Sequence, residues 1–449
     1  MQKILYLSLL LIGFITISCN QNADPIPEAT DIDYTLDRQI YHAEPGMTYL
    51  DFVMPHPAEL EKIPQDPLNP LTPEKVRLGK WLYHETGIAL EAKRPEGLMT
   101  YSCASCHHAA GGFQANMRQG IGEGGSGFGI SGEGRFKDLL YNETEIDVQP
   151  IRTPSVLNAA FQEVMLWNGQ FGATGANEGT EDRWTPNTPK AVNHLGYQGI
   201  EIQAIAGLGV HRMRVDSQVI ADLGYKQYFD QVFGDKHPSV RYTKETAGLA
   251  IAAYERTLLP YNAPFQRWMR GEKTAMTYRQ KEGAMLFFGK AGCASCHNGP
   301  GLNGPGFYAI GMPDLMGNEV FNSGITNESH LGRAGFTGNM DDLYQFKVPQ
   351  LYNLKDSPFF GHGGTFTTIR EVIEYKNDAL CVNKRVSEVQ LAEEFVPLNL
   401  TDEEISLLVE FLDEALYDPD LDRFEPVVLP SGNCFPVADN QSREDMGCF

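Results

Sequence analysis

Positive charge is in short supply: 36 Lys and Arg face 58 Asp and Glu, for a formal net charge of -22. A chain this acidic lacks the electrostatic footprint for a phosphate backbone, which excludes nucleic acid as a partner. The same surface suits solubility and the steering of a basic protein partner. Also missing is an apolar run of the roughly 20 residues needed to cross a bilayer. The run at 4–17 is too short; it follows Lys3 and leads into Ser18 and Cys19, so residues 1–18 are expected to be an export signal. A lone Cys after such a run resembles a lipoprotein signal, with the lipid on Cys19. Membrane contact is then expected only through that lipid, in the periplasm or cell envelope, with residues 19–60 as tether and N-terminal extension. At 449 residues the chain can hold two or three ordinary domains and does not depend on cross-links for a core.

Four of the eight cysteines fall in two identical pentapeptides, Cys103-Ala-Ser-Cys106-His107 and Cys293-Ala-Ser-Cys296-His297. This spacing lets two thiols add to the two vinyl groups of one porphyrin while the next His turns its imidazole onto the iron. One Cys-x-x-Cys alone would equally suit a thioredoxin-like pair or half a zinc site. Two copies, each followed by His in an exported chain, point to two covalently bound haem c groups, with His107 and His297 as iron ligands. Helix-like apolar segments, 78–83 and 283–288, precede the two motifs. The expected fold is therefore mainly α: two cytochrome c-like haem domains, 61–265 and 266–449, with loop-rich insertions supplied by 45 Gly and 27 Pro. Further helices are expected over 243–259 and after Thr401, where Thr401 and Glu404 form a capping box and Ile405, Leu408, Val409 and Leu412 recur at helical spacing. The segment 171–195 looks like the largest insertion, either a docking surface or decoration.

From about residue 64 to 377 the chain resembles the bacterial di-haem cytochrome c peroxidase family, including its methylamine-utilisation di-haem oxidase branch. Segments 69–79, 152–161, 166–169, 255–258, 346–349 and 361–364 carry the resemblance together with the two ordered motifs. It implies reduction of hydrogen peroxide to water at the N-terminal haem, with electrons from a small periplasmic cytochrome c or cupredoxin entering at the C-terminal haem. Trp167 matches the tryptophan between the haems, against the plainer reading of a core aromatic. Asn158 matches a ligand to an interdomain calcium ion, and Gln203 the distal glutamine. The distal glutamate expected about ten residues on is Arg212 here. His211 beside it titrates near neutral pH and can take over proton transfer, or be a packed, hydrogen-bonded residue; Glu201 is a weaker substitute.

No His lies between His108 and His194, which favours a five-coordinate first haem. Residues 111–134 hold ten glycines in 24 positions, as a mobile flap or a surface loop. The sixth ligand of the second haem aligns with Lys376; Tyr375 is adjacent, and Met312, Met316 and Met340 are loop alternatives. One disulfide is expected among Cys381, Cys434 and Cys448, as 434–448 or 381–434. Two rival functions stand beside the peroxidase, a peroxide-dependent oxidase of a partner protein and a pure electron-transfer lipoprotein. Monomer and homodimer remain open.

Overall fold

The computed structural model describes residues 30–43 and 46–448. The export signal, Cys19 and the first part of the tether lie outside the described residues. The chain builds two helical cores and, among the described residues, only two short antiparallel ladders. In the first core, the helix Pro73–His84 begins with proline at its first turn, and the Thr72 hydroxyl accepts from the Lys75 N–H at 3.2 Å, a cap of about 1 kcal/mol. Its apolar face, Leu78 and Leu82, is buried against Lys244–Glu255, which in turn covers Gly199–Val210. The two helices meet at Gly79, where a Cβ would fall 1.8 Å from the Ala250 carbonyl oxygen.

The second core repeats the device. Tyr278–Phe287, opened by a Thr277/Gln280 capping box, crosses Asp402–Glu410, opened by the expected Thr401/Glu404 box. Here the close approach is at Gly283, where a Cβ would fall 2.1 Å from the Leu407 carbonyl oxygen. Ile369–Asp378 packs beside it. Phe265, Trp268, Phe287 and Phe411 fill the interior, each contributing about 1.5–3 kcal/mol by burial. The expected two-domain, mainly α architecture is thus present, with one glycine-mediated helix crossing ahead of each Cys-x-x-Cys-His.

The ends of the chain exchange partners. Near the N-terminus, the helix Asp31–Tyr41 sends Leu36 and Ile40 into the second core, followed by Phe52 and Met54. Asp33, 1% exposed, anchors it by accepting from the Trp268 indole at 2.6 Å and pairing with Lys281 at 2.7 Å. Burial alone would raise that carboxyl, but these partners and Thr30 hold it down at about 2. Conversely, Leu421 and Phe424 enter the first core, and the tail beyond them stays there. A Cys434–Cys448 disulfide closes the tail, and Cys381 is a free thiol.

The glycine-rich segment 111–134 is held down rather than loose. The His108 imidazole reaches the Ser131 carbonyl at 2.8 Å, and Arg135 donates to the carbonyls of Ile121 and Gly122. From the disulfide loop, Asp439 accepts from Gly127 N–H, and Asp445 from Phe128 and Gly129 N–H at 2.8–3.0 Å. The insertion 171–195 is a string of tight turns cross-braced by buried Asn177 and Asn193, and Arg183 and Arg333 tie it to the second half. Among the described residues no helix is long and apolar enough to cross a membrane.

Candidate functional site

Each Cys-x-x-Cys-His forms one tight 3-10 turn, Cys103–Ser105 or Cys293–Ser295, closed by the His N–H donating to the first Cys carbonyl at 3.1 and 2.9 Å. In the second turn both thiols and the imidazole, Cys293, Cys296 and His297, line one cavity. In each His, Nδ1 meets a carbonyl, that of Phe113 at 3.3 Å for His107 and that of Leu302 at 3.1 Å for His297. A carbonyl only accepts, so Nδ1 carries the proton and Nε2 keeps a free lone pair. Burial pushes both imidazoles down to about 4, which keeps them neutral and ligand-competent. The thiols move oppositely: burial raises Cys106 to about 12 and Cys293 to about 11.

A cavity of about 310 Å³ connects the two motifs. Its wall includes His107 and Gln203, Trp167, and Cys293, Cys296, His297 and Lys376. A mostly apolar hollow lined by both imidazoles suits haem c, which Cys103, Cys106, Cys293 and Cys296 would hold. Trp167 is fixed by its indole N–H, which donates to the Arg152 carbonyl at 2.8 Å, and by an edge-on contact with His362, whose ring stacks on Phe346.

His211 caps the helix Gly199–Val210 that carries Gln203. Its Nδ1 is 2.7 Å from Asp147 Oδ2, and its side chain is 39% exposed. Burial lowers this imidazole, but the adjacent Asp147 carboxylate raises it by more, so the net shift is upward. Arg212, in the place of the expected glutamate, has a left-handed backbone (φ 58°) and turns to an ion pair with Glu123, itself fully buried. Glu201 is engaged elsewhere, in a buried pair with Arg256 at 2.7 Å.

The sixth-ligand candidates separate clearly. Lys376 lines the cavity, and its electrostatic neighbours are the Cys293 and Cys296 sulfurs; burial lowers its amine. Tyr375 turns away, its hydroxyl donating to the Ile310 carbonyl among Phe366 and Phe395. Met316 and Met340 are exposed, 39% and 70%, whereas Met312 is buried in the cavity wall. Asn158 is fully buried, left-handed (φ 61°), and its Oδ1 has no hydrogen-bond partner. That orphaned oxygen, near the Gln350 and Asn303 side chains, fits a hard cation. No cluster of three or more His, Cys, Asp or Glu positioned for a metal occurs among the described residues.

Sequence reasoning missed Asp147, Glu123, His362, Arg152 and Lys347, because each acquires its role from a partner far away in the chain. The Asx-like polar run before Pro150 holds no local signal for Asp147.

Comparison with known proteins agrees with this geometry. The family model described as di-haem cytochrome c peroxidase matches residues 73–274. The methylamine utilization protein MauG of Methylorubrum extorquens is 28% identical over 361 residues, covering 80% of this chain and 83% of that protein. Cytochrome c551 peroxidase of Nitrosomonas europaea is 27% identical, covering 83% and 90%. Among solved structures, a MauG-like protein associated with microbial copper homeostasis superposes with a TM-score of 0.55 at 21% identity, covering 82% and 95%, a likeness of fold.

Proposed function

Since the chain belongs to the di-haem cytochrome c peroxidase family, we propose that it reduces hydrogen peroxide at the His107 end of the cavity, with electrons entering at the His297 end. The reaction balances as one peroxide, two protons and two electrons giving two waters. The single observation carrying this reading is one cavity walled by His107 of the first Cys-x-x-Cys-His turn, by Cys293, Cys296 and His297 of the second, and by Trp167. When bound, the haem c groups supply a peroxide-binding iron at one end and an electron-accepting iron at the other.

The chain's own residues do the rest. Gln203 donates from its amide to orient peroxide. His211 takes the proton from one peroxide oxygen and returns it to the other, which departs as water. Asp147 holds that imidazole in one tautomer, and the Arg212–Glu123 pair beside it is internally neutralised. Trp167, fixed at both its indole and its backbone, provides the aromatic bridge. Lys376 is the candidate sixth ligand at the second end, and Asn158 Oδ1 a ligand to an interdomain calcium ion. The donor is a small cytochrome c or cupredoxin with a basic face, and the enzyme acts outside the cytoplasm, tethered through a lipid on Cys19. A second reading, oxidation of a partner protein, draws on the hard nitrogen donor at Lys376, which favours ferric over ferrous iron.

The test is an EPR and optical titration of the purified di-ferric protein with peroxide, then with a reduced cytochrome. A high-spin first haem that reacts at once and turns over with the donor is expected. Two low-spin haems inert to peroxide, even after half-reduction, would leave only an electron carrier. Donor-independent oxidation of protein side chains would favour the second reading.

A further inference from the structure

Two cations in the cavity wall, the buried Arg152 and the half-buried Lys347, have no anion partner among the described residues. Arg152 is 2% exposed, and its guanidinium reaches only neutral acceptors: the Met117 carbonyl at 3.1 Å, the Gln114 side-chain oxygen at 2.9 Å and the Ser357 hydroxyl at 2.8 Å. Lys347 is half-buried and donates to the Gln162 side-chain oxygen. Burial is the sole influence on either group, lowering Arg152 to about 9 and Lys347 to about 7, with no neighbouring carboxylate to oppose it. A buried cation without a counter-charge is costly unless a ligand supplies one.

The two positions are equivalent in the internal repeat. Arg152-Thr-Pro154 is followed by Asn158, and Lys347-Val-Pro349 by Asn353, each Asn six residues after the cation. Both asparagines are left-handed, φ 61° and 54°, and each opens a 3-10 turn, Ala159–Phe161 or Leu354–Asp356. The Pro154 carbonyl faces His107, and the Pro349 carbonyl faces His297. Each attachment site therefore owns one such cation. Trp167 lies between them: its indole N–H donates to the Arg152 carbonyl, and its own carbonyl accepts from the Lys347 N–H, both at 2.8 Å.

We propose that Arg152 and Lys347 are docking sites for the cofactor carboxylates, Arg152 receiving a propionate of the first haem and Lys347 a propionate of the second. The proposal rests on the two-haem reading above. The cysteines fix the vinyl-bearing edge of each macrocycle, and the propionates occupy the opposite edge. The fork of Arg152 suits a planar carboxylate, and the ammonium of Lys347 a point contact. Both cations also favour the reduced state, since reduction removes one positive charge from the site they face.

The experiment uses the full-length haem-loaded protein as wild type, R152Q, K347Q, R152K and K347R. Covalent haem is counted first; fewer than two per chain in the wild type refutes the two-haem reading itself, and the propionate sites with it. With two haems attached, spectroelectrochemical titration is expected to show R152Q and K347Q each shifting the reduction equilibrium of one haem about tenfold toward the oxidised form, about 59 mV. Should a glutamine variant fail to fold, the charge-conserving variants decide through the propionate bending bands in resonance Raman spectra, because they change the donor geometry. Shifted bands support the docking sites. Unchanged potentials in R152Q and K347Q, or unchanged bands in R152K and K347R, overturn it.

Discussion

His211 and Asp147 are 64 residues apart and 2.7 Å from each other. If the imidazole is the proton carrier, it must be neutral to accept, so kcat/KM for peroxide rises with pH through its pKa. That pKa lies above the ordinary 6.5 because of Asp147. Asp147→Asn removes the raising influence and leaves burial, so the acid limb of the stopped-flow pH profile is expected to move to lower pH. His211→Gln is expected to lower the rate by about 10²–10⁴. A limb that stays in place in Asp147→Asn would remove His211 from the mechanism. The same sign governs stability: the pair contributes fully below about 6.5, and the contribution fades as pH rises through the folded value. At the other haem site, Lys376→Met exchanges an amine for a thioether. We expect the second midpoint potential to rise, by about tenfold in the reduction equilibrium or ~59 mV, in a redox titration; an unchanged potential and spectrum would exclude Lys376 as ligand.

The glycine-rich segment 111–134 and the tail act as one unit. Its backbone N–H groups at 127–129 are capped by Asp439 and Asp445, both inside the loop closed by Cys434 and Cys448. In the chain-entropy account, closing a loop of that size is worth about 3 kcal/mol. Reduction of the disulfide, or the Cys434→Ser/Cys448→Ser double variant, should therefore raise amide exchange and proteolysis within 120–134. Unaltered exchange there would mean the flap is held by His108 and Arg135 alone. Composition pointed to a flap, since ten glycines in 24 residues set no conformation of their own. Part of what restrains it, Asp439 and Asp445, arrives from more than 300 residues away. By contrast, the starts of the helices Lys244–Glu255 and Asp402–Glu410 were legible, the second from its Thr401/Glu404 capping box and apolar spacing, which act within one or two turns, while the first ends four residues before the expected 259.

Across the whole molecule, each terminal segment packs on the opposite core, the N-terminal helix on the second and the tail on the first. Residues of both Cys-x-x-Cys-His turns wall one cavity between the cores' side chains. The net charge of -22 surrounds that assembly. Raising ionic strength from about 0.01 to 0.15 M shortens the screening length from roughly 30 to 8 Å. Turnover limited by a basic cytochrome c should fall about tenfold over that range, at the low end of electrostatic steering effects, while the reaction with uncharged peroxide stays constant. Equal sensitivity of both half-reactions would point away from a charge-steered donor.

The sequence by itself determined the two Cys-x-x-Cys-His motifs, the mainly α class and the doubled architecture. Thioether attachment needs a fixed local spacing, and helix periodicity and caps are likewise short-range. The tertiary structure alone decided that Asp147 faces His211, that Glu123 neutralises Arg212, that Lys376 rather than Tyr375 enters the cavity, and that Arg152 and Lys347 are left without an anion. Those outcomes depend on which distant backbone brings a charge within a few ångströms, and no local pattern in the chain encodes that distance.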